Sequence, residues 1–260
     1  MYYELSFLNQ MEILEIIFPI AYSFHKEDFP SKASIYYIEV EPKIRIGCGF
    51  WVKEKSYPSV LYFGGNGETV GDYDEIALFY NKIGINFFMA DYRGYGMSNS
   101  KPTVFNTLND SHIIFKEFRK IIKKDFNSNI FIMGRSLGSM SAMEVVFHYQ
   151  KDVSGLIIES GRANNLRKIW CYLKASEREI LLDEKNCILN EMKIKQIKKP
   201  TLIIHGQMDN MVDPEEGKKL FENSGAEDKE IFIIPHADHN TIIGMDEYFP
   251  KIEEFVKKHS

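Results

Sequence analysis

Short apolar runs rich in β-branched and aromatic residues alternate along this chain with longer stretches of helical period, and no other feature constrains the fold as much. The runs are 35–40 (IYYIEV), 44–53 (IRIGCGFWVK), 59–63 (SVLYF), 86–90 (NFFMA), 129–133 (NIFIM), 154–159 (SGLIIE), 201–205 (TLIIH) and 230–235 (EIFIIP). Helical spacing of apolar residues fills about 73–83, 107–124, 137–150, 214–223 and 246–258. Strand and helix in such alternation predict an α/β fold, with a mostly parallel central sheet of about eight strands flanked by helices on both faces. The first two runs alternate apolar with polar and are expected to pair antiparallel. The later ones are continuously apolar, as strands buried on both faces require. The stretch 161–199 breaks the rhythm, with helical patterns and no strand. It is either a small lid inserted after 154–159 or an ordinary crossover with a long helix.

With 44% hydrophobic and 27% charged residues over 260 positions, the chain can bury a sizeable core. It carries no internal repeat or flexible linker, so residues 1–260 are expected to form a single domain. A net charge of -5 excludes a general attraction to nucleic acid. The local basic run Lys116–Lys124 reads as the wet face of a helix whose other side is filled by Phe115, Ile121 and Ile122. Cys48, Cys171 and Cys187 lie far apart without a CxxC, which speaks for a reducing compartment and against a zinc site. The apolar N-terminus is interrupted by Glu4, Glu12 and Glu15, so stable membrane insertion is not expected. Leu5, Leu8, Met11, Leu14 and Phe18 recur at helical spacing and predict a docked amphipathic helix, with peripheral membrane contact as the alternative. A cytoplasmic location follows as the expectation.

The chemistry gathers at the carboxyl ends of the predicted strands, where sheets of this kind bind ligands. Run 129–133 leads into Gly134-Arg135-Ser136-Leu137-Gly138 and then a helix. A serine between two glycines in a strand–turn–helix context is held in a strained conformation with its Oγ exposed above the sheet. A hydroxyl needs a base, and the base an orienting acid. Run 201–205 delivers Asp209 in the loop beyond it, and run 230–235 delivers His239. The chain order Ser136, Asp209, His239 is the one expected when these groups meet over such a sheet. Glu159, at the end of 154–159, competes with Asp209 for the histidine. An oxyanion would be held by the backbone N–H of Leu137 and by one from Gly64-Gly65-Asn66-Gly67, with Asn66 chosen over Gly65 or Gly67. The H-x-x-H formed by His236 and His239 lacks a third ligand, and no metal is expected. His205 reads as a structural histidine. Asp91, Arg93, Gly94 and Gly96 of DYRGYG read as a lock between loops.

Together these stretches resemble the α/β-hydrolase superfamily of the serine-nucleophile type, and within it the serine aminopeptidase-like hydrolases. The resemblance is carried by LYFGGNGETVGDYD, DYRGYGMS with KPT after it, GRSLGS, LIIES, PTLIIHGQMD and PHADHN, spanning about residues 35 to 255. It implies an α/β-hydrolase fold, with Ser136 as nucleophile, Asp209 as acid and His239 as base. It also implies hydrolysis of a small-molecule acyl substrate, an ester or thioester first, with no cofactor. A peptidase, a lysophospholipase or a non-catalytic binding module on the same scaffold are the alternatives. Two positions depart from the family. Gly64 stands where a histidine normally braces the oxyanion loop, so the loop is expected to be less firmly held. His236 and Asp238 stand where glycines normally flank the alanine.

Overall fold

In the computed structural model, residues 3–19, 32–127, 129–183 and 187–260 are described. The strands are β1 (Ser34–Glu41), β2 (Ile44–Trp51), β3 (Ser59–Phe63), β4 (Asn86–Ala90), β5 (Ile130–Arg135), β6 (Gly155–Glu159), β7 (Thr201–Gly206) and β8 (Lys229–Ile234). They form one eight-stranded sheet in the order β1-β2-β4-β3-β5-β6-β7-β8. β1 pairs β2, and β2 pairs β4, antiparallel; every other pair is parallel. The helices are α1 (Met11–Ile17), α2 (Asp74–Lys82), α3 (Val104–Asp125), α4 (Ser139–Tyr149), α5 (Ala175–Leu182), α6 (Asn190–Gln196), α7 (Pro214–Asn223) and α8 (Tyr248–Lys258).

Successive side chains of a strand point to opposite faces, and this sorts the continuous apolar runs into two cores. Leu61, Phe63, Ile130, Ile132, Leu156, Ile158 and Ile203 pack under α3, α4, α6 and α7. Val60, Tyr62, Phe131, Met133, Ile157, Leu202 and Ile204 pack under α2 and α8. Two expectations about burial are corrected. From Ile46 onward β2 has no wet face, because Gly47 and Gly49 leave room for Met97 and Val70 to lie on it. β8 is only half-buried, because it is the last strand of the sheet. α3 also starts earlier than its apolar period: Thr103 Oγ1 accepts from Asn106 N, and Asn106 Oδ1 from Thr103 N, which caps it at Val104.

The stretch 161–199 divides between two layers. Ile194 and Ile197, from α6 and its end, join the core over the sheet. Leu166, Ile169, Leu173, Leu181, Ile188 and Leu189 form a third cluster with the N-terminal Leu5, Leu8, Leu14 and Phe18. The N-terminal segment thus docks by its apolar stripe, except at Met11, which is half exposed. Among the described residues no helix is long and apolar enough to cross a membrane. Buried charge is paired. Glu144 on α4 takes Lys193 Nζ at 2.7 Å and His112 Nε2 at 3.0 Å. Burial pushes its carboxyl up, but these partners outweigh burial and hold it down to about 2.

DYRGYG locks loops as its composition suggests. Arg93 grips Asp110 with Nε and Nη2, each at 2.7 Å, and reaches Glu41 at 2.7 Å. Asp91 accepts from Val70 N and Met97 N at 2.8 Å each. Gly96 sits at φ +48°, where a Cβ would enter the Asp91 carboxylate. Burial pushes the Asp91 carboxyl up from 3.8 to about 7, against the two N–H donors that favour its charged form. Its folded pKa lies above the unfolded value, so between those values the folded state holds the extra proton and stability falls as pH rises. Asp91→Asn removes that titration and leaves one N–H without an acceptor, a cost of about 1–3 kcal/mol. The stability gap between wild type and variant, from urea unfolding, is therefore expected to narrow between about pH 5 and about pH 8. A gap that widens with pH would contradict this account.

Candidate active site

β5 ends at Arg135, and Ser136 follows at φ +50°, a left-handed conformation that L residues adopt only when their surroundings enforce it. The enforcement is crowding. A Cβ on Gly138 would enter the carbonyl of Phe63, and one on Gly134 would enter that of Gly138. Backbone therefore packs on backbone where β3 and β5 leave the sheet, and the serine is turned out at the apex. Ser139 Oγ donates to Ser136 O at 2.7 Å and fastens the turn before α4 begins. Ser139, Ser141 and Ala142 are buried, so the helix presses on the sheet as their size predicts.

The loops after β7 and β8 bring Asp209 and His239 together. Asp209 Oδ2 lies 2.7 Å from His239 Nδ1, with the residues only 5% and 4% exposed, so the bond is shielded from water. A carboxylate can only accept, so Nδ1 carries the proton and neutral His239 presents a bare Nε2. Asp209 Oδ1 accepts from Met211 N at 2.9 Å and Val212 N at 2.8 Å. Burial works against ionised Asp209, but the hydrogen bonds from His205, His239 and the Val212 N–H hold its carboxyl well below the usual range. His205 Nε2 bonds Val212 O at 2.8 Å and stands 3.4 Å from Asp209 Oδ2. His205 is structural, as its position suggests, yet it also supports the acid's loop. The signal legible in the sequence was its place at a strand end before Gly206. His236 is exposed at φ +62°, whereas His239 is buried.

Ser136 makes no hydrogen bond to His239 in this structure, although Ser136 opens on the cavity and Arg135 beside it donates Nη2 to His239 O at 2.5 Å. Leu137 and Asn66 line the same cavity as Ser136. The Asn66 backbone N–H bonds to none of the described residues. Its side chain is fixed, accepting from Tyr95 OH at 2.6 Å and donating to Ile17 O at 3.3 Å. The alternative donor Gly65 is taken: its N–H bonds Glu68 Oε2 at 2.5 Å.

The expectation of a weakly held oxyanion loop is corrected. Glu68 occupies the bracing position in place of a histidine, accepting from Gly65 N and from Tyr73 OH at 3.1 Å, while Tyr92 OH holds Gly64 O at 2.7 Å. Arg135 Nη1 pairs with the other Glu68 oxygen, and Nε donates to Glu159 Oε1 at 3.0 Å. Glu159 is fully buried, with Tyr248 OH at 2.6 Å on its second oxygen. The competitor for the acid's role is thus committed to Arg135. Nothing in the sequence marks Arg135 as the partner of Glu68 and Glu159, because the three lie far apart along the chain. Arg135→Leu would strand the Glu159 charge and is expected to cost about 3–5 kcal/mol in urea unfolding. Gly64→His is expected to lower the melting temperature, because a Cβ there would stand 2.9 Å from Met89 Cε and 3.2 Å from Glu68 Oε2. An unchanged melting temperature would mean the loop has room for the histidine after all.

Comparison with known proteins places the chain in a family and matches its fold. The family model described as "Serine aminopeptidase, S33" matches residues 54–171 and 189–246. Protein bem46 of Schizosaccharomyces pombe is 28% identical over 209 residues, covering 79% of this chain and 69% of its own. Alpha/beta hydrolase domain-containing protein 17B of Homo sapiens is 26% identical over 228 residues, covering 82% and 72%. In fold, a soluble variant of monoglyceride lipase from Saccharomyces cerevisiae, in complex with a substrate analogue, superposes with TM-score 0.69 at 17% identity, covering 92% of this chain and 98% of that one. The esterase Pf2001 of Pyrococcus furiosus superposes with TM-score 0.68 at 21% identity, covering 87% and 92%. The family model spans most of the chain, and the sheet order and serine turn agree with it: the protein belongs to the serine aminopeptidase S33 family of α/β-hydrolases.

Proposed function

We propose that the protein is a serine hydrolase that cleaves a carboxylic ester, or a thioester, through an acyl-enzyme on Ser136. The observation that carries this reading is the buried Asp209–His239 bond of 2.7 Å in the loops above a serine held at φ +50°. Ser136 Oγ attacks the carbonyl carbon while His239 Nε2 takes its proton. Asp209 holds the Nδ1–H tautomer and stabilises the imidazolium that forms. The N–H groups of Leu137 and Asn66 receive the developing oxyanion. His239 then returns the proton to the leaving alcohol or thiol, and the same imidazole activates the water that clears the acyl group. The Ser136–His239 contact closes as the carbonyl docks, since such bonds are commonly long until substrate is bound. No metal or organic cofactor enters these steps.

An ester asks least of the leaving-group acid, and the esterase and monoglyceride lipase among the similar folds act on that class of bond. A peptidase on the same three residues is the second reading, favoured by the description of the family. A non-catalytic module would be favoured by a loosely held loop at Gly64, and the brace by Glu68 and Arg135 speaks against it.

Fluorophosphonate treatment followed by intact-mass measurement is expected to show one adduct, absent in Ser136→Ala. An adduct that survives in the variant would move the chemistry elsewhere. On a simple ester, His239→Ala is expected to lose about 10³-fold or more in kcat. His236→Ala is expected to stay within about tenfold, an effect of loop packing alone. If the two variants exchange these behaviours, the base is His236. Turnover of peptide amides in preference to esters would replace the esterase reading with the peptidase one.

A further inference from the structure

The cavity that holds Ser136 carries two positive charges, Arg162 and Lys168, and no Asp or Glu among its lining residues. Its other walls are largely apolar, with Ile17, Met140, Leu166 and Ile169. In a chain with 37 acidic and 32 basic residues this is a departure. The cations held inside the protein are paired: Arg93 with Asp110 and Glu41, Arg135 with Glu68 and Glu159, Lys193 with Glu144. Arg162 instead donates to a backbone carbonyl, that of Met211. Its nearest carboxylates are committed elsewhere. Glu216 takes Arg167 Nη1 at 2.8 Å together with the N–H groups of Ala163 and Asn164. Asp209 takes His239. The Lys168 side chain forms no hydrogen bond or salt bridge with any described residue. Partial burial lowers the pKa of both groups, and Arg162 repels the Lys168 ammonium further. Glu216 and Asp209 attract Arg162 through space but neither bonds it, and the repulsion between the two like charges is relieved by an anion between them.

We propose that the substrate of the Ser136 site is itself anionic. A carboxylate or phosphate group on the ester docks on Arg162 and Lys168, while the apolar part lies against Met140, Leu166 and Ile169. Arg162 and Lys168 act as specificity-determining residues, selecting the charged ester over its neutral counterpart. This rests on the hydrolase reading above and narrows its substrate class.

The test compares kcat/KM for matched esters with and without a charge. Mono-4-nitrophenyl succinate against 4-nitrophenyl butyrate places a carboxylate on the acyl arm. 4-Acetoxyphenyl phosphate against phenyl acetate places a phosphate on the alcohol arm. The charged member of at least one pair is expected to be preferred by about tenfold, the size of one charge-assisted hydrogen bond. The pair that responds identifies the arm and the anion. Raised NaCl is expected to erode the preference, carried mainly by KM. In Lys168→Gln the charged-to-neutral ratio is expected to fall about tenfold. Lys168 is exposed and its side chain bonds none of the described residues, so this variant is expected to keep the fold. Arg162→Gln, checked by circular dichroism, is the second variant. Ratios near one for both pairs in the wild type, or ratios unmoved in both variants, overturn the proposal. Fluorophosphonate labelling of Ser136 and turnover of the neutral esters report the hydrolase reading separately. If those fail, thermal-shift titration with succinate and with inorganic phosphate still decides whether the cations bind an anion. A saturable rise that is lost in Lys168→Gln supports the site, and no rise sinks it.

Discussion

A guanidinium buried behind the serine turn holds three loops in one arrangement. Arg135 cannot be left uncompensated at that depth, because a buried charge without partners costs several kcal/mol. Its partners come from three places: Glu68 after β3, Glu159 at the end of β6, and the carbonyl of His239 after β8. The loop after β3, the strand beside the serine and the loop carrying the imidazole therefore share one anchor. Displacing any of them breaks a charge-assisted bond in a shielded setting, where such bonds are strongest.

The same region is crowded on the other side by backbone. Gly138 packs against the carbonyl of Phe63 so closely that only a hydrogen fits, and this contact fixes how far α4 stands from β3. Steric exclusion and electrostatic pairing thus act on one short stretch from opposite directions. Between them Ser136 has little choice but φ +50°, and its strain is carried by a sheet buried on both faces.

Charge in this protein is distributed with a consistent logic. Among the described residues, the buried Arg93, Arg135 and Lys193 each meet a carboxylate, and Glu144, Glu159 and Asp110 are all committed. At the cavity the pattern lapses: among the described residues, neither Arg162 nor Lys168, which line it beside Ser136, forms a salt bridge with a carboxylate. The apolar cover over that cavity is built by sequence-distant pieces, the N-terminal Leu14 and Phe18 against Leu166 and Ile169. The N-terminal segment therefore belongs to the pocket as much as the stretch 161–199 does, with Ile17 lining it directly.

Local chemistry alone made much of this legible. Five-residue runs such as SVLYF and NFFMA are too short and too apolar to be anything but buried strands once helices flank them, and all eight runs are strands of one sheet. The paired glycines around Ser136 state a steric requirement that is local to five residues. Asp209 and His239 were readable because each follows its strand by a few residues, and a strand end fixes where a loop begins. What periodicity could not supply was the environment of a strand within the sheet. β2 is buried on both faces through Gly47 and Gly49, while β8 is half wet at the edge. The missing histidine at Gly64 read as a weakness because its replacement, Glu68 with Arg135, is assembled across distant segments. The sequence by itself determined the strands, the turn and the order of the reactive groups, since these follow from neighbours along the chain. Only the tertiary structure decided which charges find partners, because pairing depends on the distances that the folded sheet sets between its loops.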